Sequence, residues 1–347
     1  MKISIIGYYG GNFGDLLMLD TLINLFKQKY DEINILTYGD HVLLRESITD
    51  YPETRLNIVS VKKDLDMKAV KKALDGSMAL LWGGGTCFMD QGGTGGIKFM
   101  LLGFLKGVKI YYLGVGIDSV KKSTTKLCVR LAVLLSKGVY LRDNKSVSIA
   151  KKLTLGLKRN IHYIPDLAYA NEGAYEGKKK GGYVVYSCRN LSDYQGLDNN
   201  FVNSSLVDLV IEAARKLNVS KVVNLVCDYE VDIADAEQAN LIFASKGLEV
   251  ETVYGNLIQK SMKCLHEADF IVTARLHPAV VAQTLAVPYA VYDYSDKINK
   301  FVEETGEKGR LILRHDIPAY KPLFTEPVNQ FQRENGAMIK NVINELF

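Results

Sequence analysis

An arginine and a histidine two residues apart, Arg275 and His277, stand where an apolar run gives way to a helical pattern in Ala268–Pro288, ADFIVTARLHPAVVAQTLAVP. Phe270, Ile271 and Val272 read as a buried strand, and Pro278 suits the first turn of a following helix. Both polar side chains then project from the carboxyl end of a strand, the edge at which open α/β sheets bind ligands. Arg275 offers a planar fork of donors that fits carboxylate or phosphate. His277 is the side chain most readily tuned for proton transfer near neutral pH. Two competing roles need no ligand: a structural ion pair for Arg275 and a backbone cap for His277.

Other strand ends carry related features. Gly7-Tyr8-Tyr9-Gly10-Gly11-Asn12-Phe13-Gly14-Asp15 follows the first apolar run, where glycines let backbone N–H groups approach an anion at a helix start. It is neither GxGxxG nor a Walker A loop, and its plain alternative is a turn with Asp15 as N-cap. A second glycine cluster, Trp82-Gly83-Gly84-Gly85-Thr86 continuing into Asp90–Gly96, reads as a loop lining a cleft. Gly114-Val115-Gly116-Ile117-Asp118 and Leu141-Arg142-Asp143-Asn144-Lys145-Ser146 close two further strands, with Asp143 suited to a helix cap. Arg142 and Arg189 occupy the same kind of edge as Arg275, and three such arginines suggest an anionic ligand. Pairing with nearby carboxylates is the alternative, stronger for Arg189 than for Arg142. The five histidines lack HExxH spacing, GxSxG is absent, and Asp64-Leu65-Asp66 reads as helix capping, so no metal site is expected.

The elements that must position these residues alternate short apolar runs with amphipathic stretches, the pattern of parallel sheets with crossover helices. The pattern predicts strands at 2–6, 33–37, 55–59, 78–82, 109–113, 139–141 and 162–164, with helices at 16–29, 68–74, 97–105, 124–136 and 146–153 between them. Asn171 to Gly182, NEGAYEGKKKGG, has no apolar period and reads as a linker. The pattern restarts with strands at 183–187, 221–225, 249–253, 270–272 and 289–292, and helices near 204–217, 256–266 and 328–346. The expected organisation is a Rossmann-like domain over 1–170, a linker over 171–182, a second Rossmann-like domain over 183–325, and a terminal helix over 326–347. The fold class is α/β, two doubly wound domains facing a cleft.

Bulk properties fit a globular protein. The 347 residues are 48% hydrophobic and 24% charged, and the net charge of +4 is too mild to argue for nucleic-acid binding. Five scattered cysteines with no CxxC pair point to a reducing, cytoplasmic setting. The most apolar region, Phe99 to Ile117, is interrupted by Lys106, Gly107 and Lys109 and reads as helix plus strand, not a membrane span.

Taken together, GYYGGNFGD, WGGG, GVGI, RDNKS, PDLAY at Pro165–Tyr169, TARLH and YDYSDKINKFVEETG at Tyr292–Gly306 resemble the polysaccharide pyruvyl transferase family, over Ile3 to about Gly306. The resemblance implies a glycosyltransferase-B-like pair of domains, the first on the acceptor side and the second on the donor side. It implies phosphoenolpyruvate as donor, a sugar diol as acceptor, and no cofactor. By position it implies Arg142, Arg275 and His277 as phosphoenolpyruvate contacts and Asn12 and Asp15 as acceptor contacts; Arg189, from its strand edge, and Leu276, between Arg275 and His277, are expected to join the phosphoenolpyruvate set. Catalysis would fall to His277, Arg275 and Asp15. Leu16 stands where family members usually carry Glu.

Two other readings stay open: a glycosyltransferase of the same architecture using a nucleotide sugar, and a non-catalytic glycan-binding member. The expected acceptor is a sugar or lipid-linked oligosaccharide, the sequence being silent on whether it is lipid-linked, nucleotide-linked or a polymer, and the expected setting is the cytoplasm, with the inner face of the membrane as a further place. Phe99–Leu105 admits peripheral membrane contact, with plain core as the favoured reading. Oligomeric state is not legible.

Overall fold

The structure, a computed structural model, describes residues 1–48, 54–62, 65–156, 160–171 and 181–347. The chain divides into two compact units. The first comprises Met1–Gly10, Gly14–Asn171 and Asn335–Phe347, and the second Gly11–Phe13 and Glu172–Glu334. Most of the expected linker, residues 172–180, lies outside the described residues, as does Asp64 of the DLD triplet. Asp66 caps a helix by accepting from the N–H groups of Lys68 and Ala69.

The first unit forms in chain order β1 (Lys2–Gly7), α1 (Phe13–Phe26), β2 (Glu32–Thr37), α2 (His41–Ser47), β3 (Arg55–Ser60), α3 (Met67–Leu74) and β4 (Ala79–Gly83). Next come β5 (Thr86–Met89), β6 (Gly93–Thr94), α4 (Ile97–Leu105), β7 (Lys109–Ile117), α5 (Ser123–Leu135), β8 (Gly138–Leu141), α6 (Asn144–Leu153) and β9 (Ile161–Tyr163). β1 lies parallel between β2 and β4, with Ile5 opposite both Ile35 and Leu81, and the sheet runs β3-β2-β1-β4-β7 with β8 and β9 beyond. Strands such as ALLWG are buried along their whole length, because helices cover both faces of a parallel sheet.

Two local readings are corrected. The glycine-rich stretch after Trp82 is not a plain loop: β5 pairs parallel with the end of β7, and β6 folds back antiparallel on β5. Gly95 must be glycine there, since its φ is +60° and a Cβ would meet the Phe88 ring at 2.2 Å. Helix α1 also starts at Phe13, so Asp15 is in its first turn and is not its N-cap.

The second unit contains β10 (Tyr183–Ser187), α7 (Asn199–Leu217), β11 (Lys221–Val226), α8 (Tyr229–Ser245), β12 (Glu249–Tyr254), α9 (Ile258–Glu267), β13 (Phe270–Thr273), α10 (Leu276–Thr284), β14 (Tyr289–Tyr292), α11 (Asp296–Thr305) and β15 (Leu311–Ile312). All neighbours are parallel in the order β12-β11-β10-β13-β14-β15, so the winding reverses between β10 and β13. Phe270, Ile271 and Val272 are fully buried and contribute about 1.5–3 kcal/mol apiece. Helix α12 (Gln330–Leu346) closes the chain, and its residues from Asn335 onward belong to the first unit.

Candidate functional site

In the second unit, the switch from β13 to α10 is built by Thr273. Its hydroxyl accepts the Arg275 N–H at 2.8 Å and donates to the Arg275 carbonyl at 3.1 Å. That closed turn leaves Arg275 extended as the N-cap residue of α10, with Leu276 and His277 half-buried in the first helical turn and Pro278 buried behind them.

Arg275 is only 6% exposed, and its Nη2 donates to both carboxylate oxygens of Asp232. Asp232, fully buried on α8, also accepts the Asn190 N–H at 3.2 Å. The structural ion pair that competed with a ligand role is therefore present. It does not use the whole guanidinium, because Nε is buried with no hydrogen-bond partner. A buried donor in that condition has a hydrogen bond left to give to an oxygen, whether of a water or of a ligand. Burial pushes the Asp232 carboxyl upward, and the Arg275 charge opposes that shift.

Arg189, just beyond β10, has no carboxylate within ion-pair distance among the described residues, so the carboxylate pairing weighed for it is not what holds it. Its Nη2 donates to the Tyr194 hydroxyl at 2.7 Å, and its guanidinium carbon lies 5.2 Å from the Tyr194 ring and 4.8 Å from the Tyr294 ring. The rings stand edge-on to one another, and such a bracket fixes a planar cation without neutralising it. The Arg189 Nε is likewise buried without a partner. Burial raises the Tyr294 phenol, while Arg189 and Arg275 both pull it down, so one ring feels both cations.

Asn12 belongs to this unit as well. Its side-chain amide donates to Asp228 at 3.2 Å, while the neighbouring Phe13 N–H donates to the Cys227 carbonyl at 2.8 Å. Burial pushes the Cys227 thiol up to about 12, which removes it as a nucleophile at neutral pH. Arg189, Asp228, Arg275 and Tyr294 thus follow the carboxyl ends of β10, β11, β13 and β14. The two arginines flank the point where the strand order reverses, where doubly wound sheets hold their ligands.

In the first unit, Arg142 follows β8. Its Nη1 donates to Asp166 at 3.1 Å and its Nη2 to the Thr86 hydroxyl at 2.7 Å. Gly116 lets the side chain pass, since a Cβ there would sit 2.9 Å from the Arg142 Nε. Asp166 also caps the short helix of the PDLAY segment, accepting the Ala168 N–H at 3.1 Å. Asp143 caps α6 through the N–H and hydroxyl of Ser146. Asp15 reaches the turn after β4, its Oδ1 being 3.1 Å from where a Gly85 Cβ would stand. Leu16 beside it is 1% exposed.

Arg189, Arg275, Leu276, His277 and Asn12 therefore belong to the second unit, and Arg142 and Asp15 to the first. The sequence reading missed Asp232, Tyr194, Tyr294, Thr86 and Asp166 as partners. Thr86, Asp166 and Tyr294 lay inside motifs already singled out; Asp232 and Tyr194 had no such signal. Among the described residues, no group of three or more His, Cys, Asp or Glu is placed to hold a metal ion.

The sequence model described as "Polysaccharide pyruvyl transferase" matches residues 12–296. No curated protein matches the chain. Among solved structures, UDP-GlcNAc 2-epimerase from Methanocaldococcus jannaschii is similar at TM-score 0.59 and 13% identity, over 99% of this chain and 100% of that one. The Neisseria meningitidis UDP-GlcNAc 2-epimerase bound to UDP-GlcNAc is similar at 0.60 and 11%, over 99% and 100%. Anabaena Alr3699/HepE in complex with UDP and glucose is similar at 0.57 and 13%, over 100% and 99%. At such identities the likeness shows the fold alone, a glycosyltransferase-B-like α/β fold of two Rossmann-like units.

Proposed function

The chain belongs to the polysaccharide pyruvyl transferase family, and on that premise we propose that it transfers pyruvate from phosphoenolpyruvate to a sugar diol of a cell-surface polysaccharide or its precursor, forming a cyclic ketal and releasing phosphate. The observation that carries the reading is the pair Arg275 and Arg189 in the second unit. Both retain a buried Nε without a partner, and neither is held so as to consume its whole guanidinium. Phosphoenolpyruvate presents a carboxylate and a phosphate, the two anions that planar guanidinium donors match best.

The chemistry has three steps. A proton is added to the methylene carbon of phosphoenolpyruvate, and one acceptor hydroxyl bonds to the neighbouring carbon while losing its own proton. The bond from that carbon to the phosphate oxygen then breaks, and phosphate leaves with the electron pair. The second hydroxyl adds in its place and gives up its proton, closing the ketal. His277, in the first turn of α10 beside Arg275, is the proposed proton donor. Arg275 and Arg189 hold the anionic groups and stabilise charge gathering on the departing phosphate. In the first unit, Arg142 is a proposed anion contact and Asp15 the proposed proton acceptor from an acceptor hydroxyl. Asn12 is a proposed acceptor contact. Tyr8, 42% exposed beyond β1 with its ring 5.2 Å from that of Tyr38, offers an aromatic face on which a sugar ring could rest.

Thermal melting tests the donor directly. A ligand at a hundred times its dissociation constant stabilises the folded chain by about 2.7 kcal/mol. Phosphoenolpyruvate should raise the midpoint of wild type and not of Arg189→Ala. Stabilisation by UDP or UDP-GlcNAc, with none by phosphoenolpyruvate, would transfer the assignment to a nucleotide-sugar enzyme.

A further inference from the structure

Helices α4 and α5 pack against each other in the first unit, and both turn large apolar side chains outward. On α4, Phe99, Met100 and Gly103 are buried, whereas Leu101, Phe104 and Leu105 are 43%, 47% and 73% exposed. The reading of Phe99–Leu105 as plain core therefore holds for one side of the helix only. On α5, Val129, Ala132 and Val133 face inward, while Leu127, Leu131 and Leu134 form an exposed stripe at helical spacing. Six large apolar side chains on two touching helices differ from the singly scattered ones that every surface carries.

The charges carried by these helices and the segments joining them are mostly positive, with Asp75 and Asp90 the carboxylates that touch them. Residues 97–137 include eight lysines and arginines and one acidic residue, Asp118, although the whole chain carries only +4. The rest of the molecule is therefore net acidic, and positive charge is concentrated here. Lys106 is paired with Asp75, and the Lys122 ammonium donates to the Asp90 carbonyl at 3.0 Å. The ammonium groups of Lys98, Lys121, Lys126 and Lys137 make no ion pair with a carboxylate among the described residues, although the Lys121 backbone N–H donates to Asp90 at 2.7 Å.

We propose that this face docks the protein on a membrane surface rich in anionic phospholipid. The leucines and Phe104 enter the boundary between headgroups and acyl chains, and the lysines meet lipid phosphates, their alkyl stems lying along the apolar side chains. An apolar face rimmed by basic residues complements a surface that is anionic at the top and apolar just below. No helix among the described residues is long and apolar enough to cross a membrane, so the contact is peripheral. The inference does not depend on the donor or on the reaction. It puts the first unit where a lipid-linked acceptor would be presented.

Co-sedimentation of the purified full chain tests it, with vesicles of equal parts phosphatidylglycerol and phosphatidylcholine against vesicles of phosphatidylcholine alone. Binding is expected to the first and not the second, and to fall steeply with added salt. Lys98→Gln/Lys121→Gln should weaken it roughly tenfold or more. Leu105→Ser/Leu127→Ser, at two of the most exposed positions, should weaken it about tenfold with the melting midpoint unchanged. The proposal is overturned if wild type ignores anionic vesicles, if both vesicles bind alike, or if the leucine variant binds as well as wild type. It also fails if that variant loses a concentration-dependent dimer while vesicle binding is absent, since the face would then belong to a second copy.

Discussion

Arg275 donates through a single nitrogen to both carboxylate oxygens of Asp232, and its Nε stays buried with no partner. The carboxylate fixes the plane of the guanidinium and balances its charge, while the remaining edge keeps its donors. A cation held in this way is pre-positioned, so little conformational freedom is lost when an anion arrives.

Arg275→Lys separates charge from shape at this position. The ammonium can still pair with Asp232, but it cannot also present a planar edge, so stabilisation by phosphoenolpyruvate should disappear. Without ligand, the Arg275→Lys midpoint should fall only slightly below that of wild type, by contrast with Arg275→Ala. Removing the cation outright leaves a buried unpaired carboxylate, which costs about 3–5 kcal/mol. Calorimetric unfolding of both variants, with and without phosphoenolpyruvate, distinguishes the two effects.

The pH dependence of Arg275→Ala follows from burial. Asp232 already has its carboxyl pushed up by burial, opposed by Arg275, and loss of Arg275 lets it rise further. A carboxyl raised in the folded state favours folding fully below its ordinary value and loses that contribution as pH climbs through the raised value. The deficit of Arg275→Ala relative to wild type should therefore be smaller in mild acid than at neutral pH. A pH series of thermal midpoints, followed by circular dichroism, reads this out; equal deficits across the series would contradict it.

His277→Ala should reduce turnover by roughly a hundredfold to ten-thousandfold if the imidazole delivers the proton. Phosphoenolpyruvate should still stabilise the variant, because Arg189 and Arg275 remain. Phosphate release measured beside the thermal shift separates the two roles, and near-normal turnover of a folded variant would remove the acid assignment.

Gly116→Ala probes Arg142 without changing any charge. The added methyl meets the Arg142 side chain at 2.9 Å and the Thr86 hydroxyl at 3.3 Å, so the guanidinium must move off Thr86. Overpacking of this kind costs about 1–3 kcal/mol. Activity should fall toward the level of Arg142→Ala while the protein remains folded; wild-type kinetics in Gly116→Ala would show that Arg142 is not needed where it stands.

The cysteines report on the apolar face of the first unit. Cys87, Cys188, Cys227 and Cys264 are buried, and Cys128 on α5 is the partly exposed one. Native protein should therefore release one thiol equivalent to an aromatic disulfide reagent quickly and four more only on unfolding. Anionic vesicles should slow the fast thiol; unchanged reactivity in their presence would count against membrane docking.

Much of the fold was legible without coordinates. Runs such as FIVT and ALLWG, short and bounded by turn residues, read as strands buried on both faces, and their alternation with amphipathic stretches is the pattern of parallel sheets with crossovers. Strand ends predicted from those runs put Arg142, Arg189 and Arg275 on carboxyl edges, because a side chain's position along a strand is a local property. Helix α8 was missed because its apolar residues do not keep to one face: Leu241 is 74% exposed while Asp232 is fully buried.

What each arginine does with its charge was decided by tertiary structure. Asp232 lies 43 residues before Arg275, Tyr294 lies 105 residues after Arg189, and Thr86 lies 56 residues before Arg142. Local periodicity fixes where a guanidinium emerges. Whether it meets a carboxylate, an aromatic bracket or a hydroxyl depends on which strands become neighbours in the sheet, since only that order brings residues so far apart within hydrogen-bond reach.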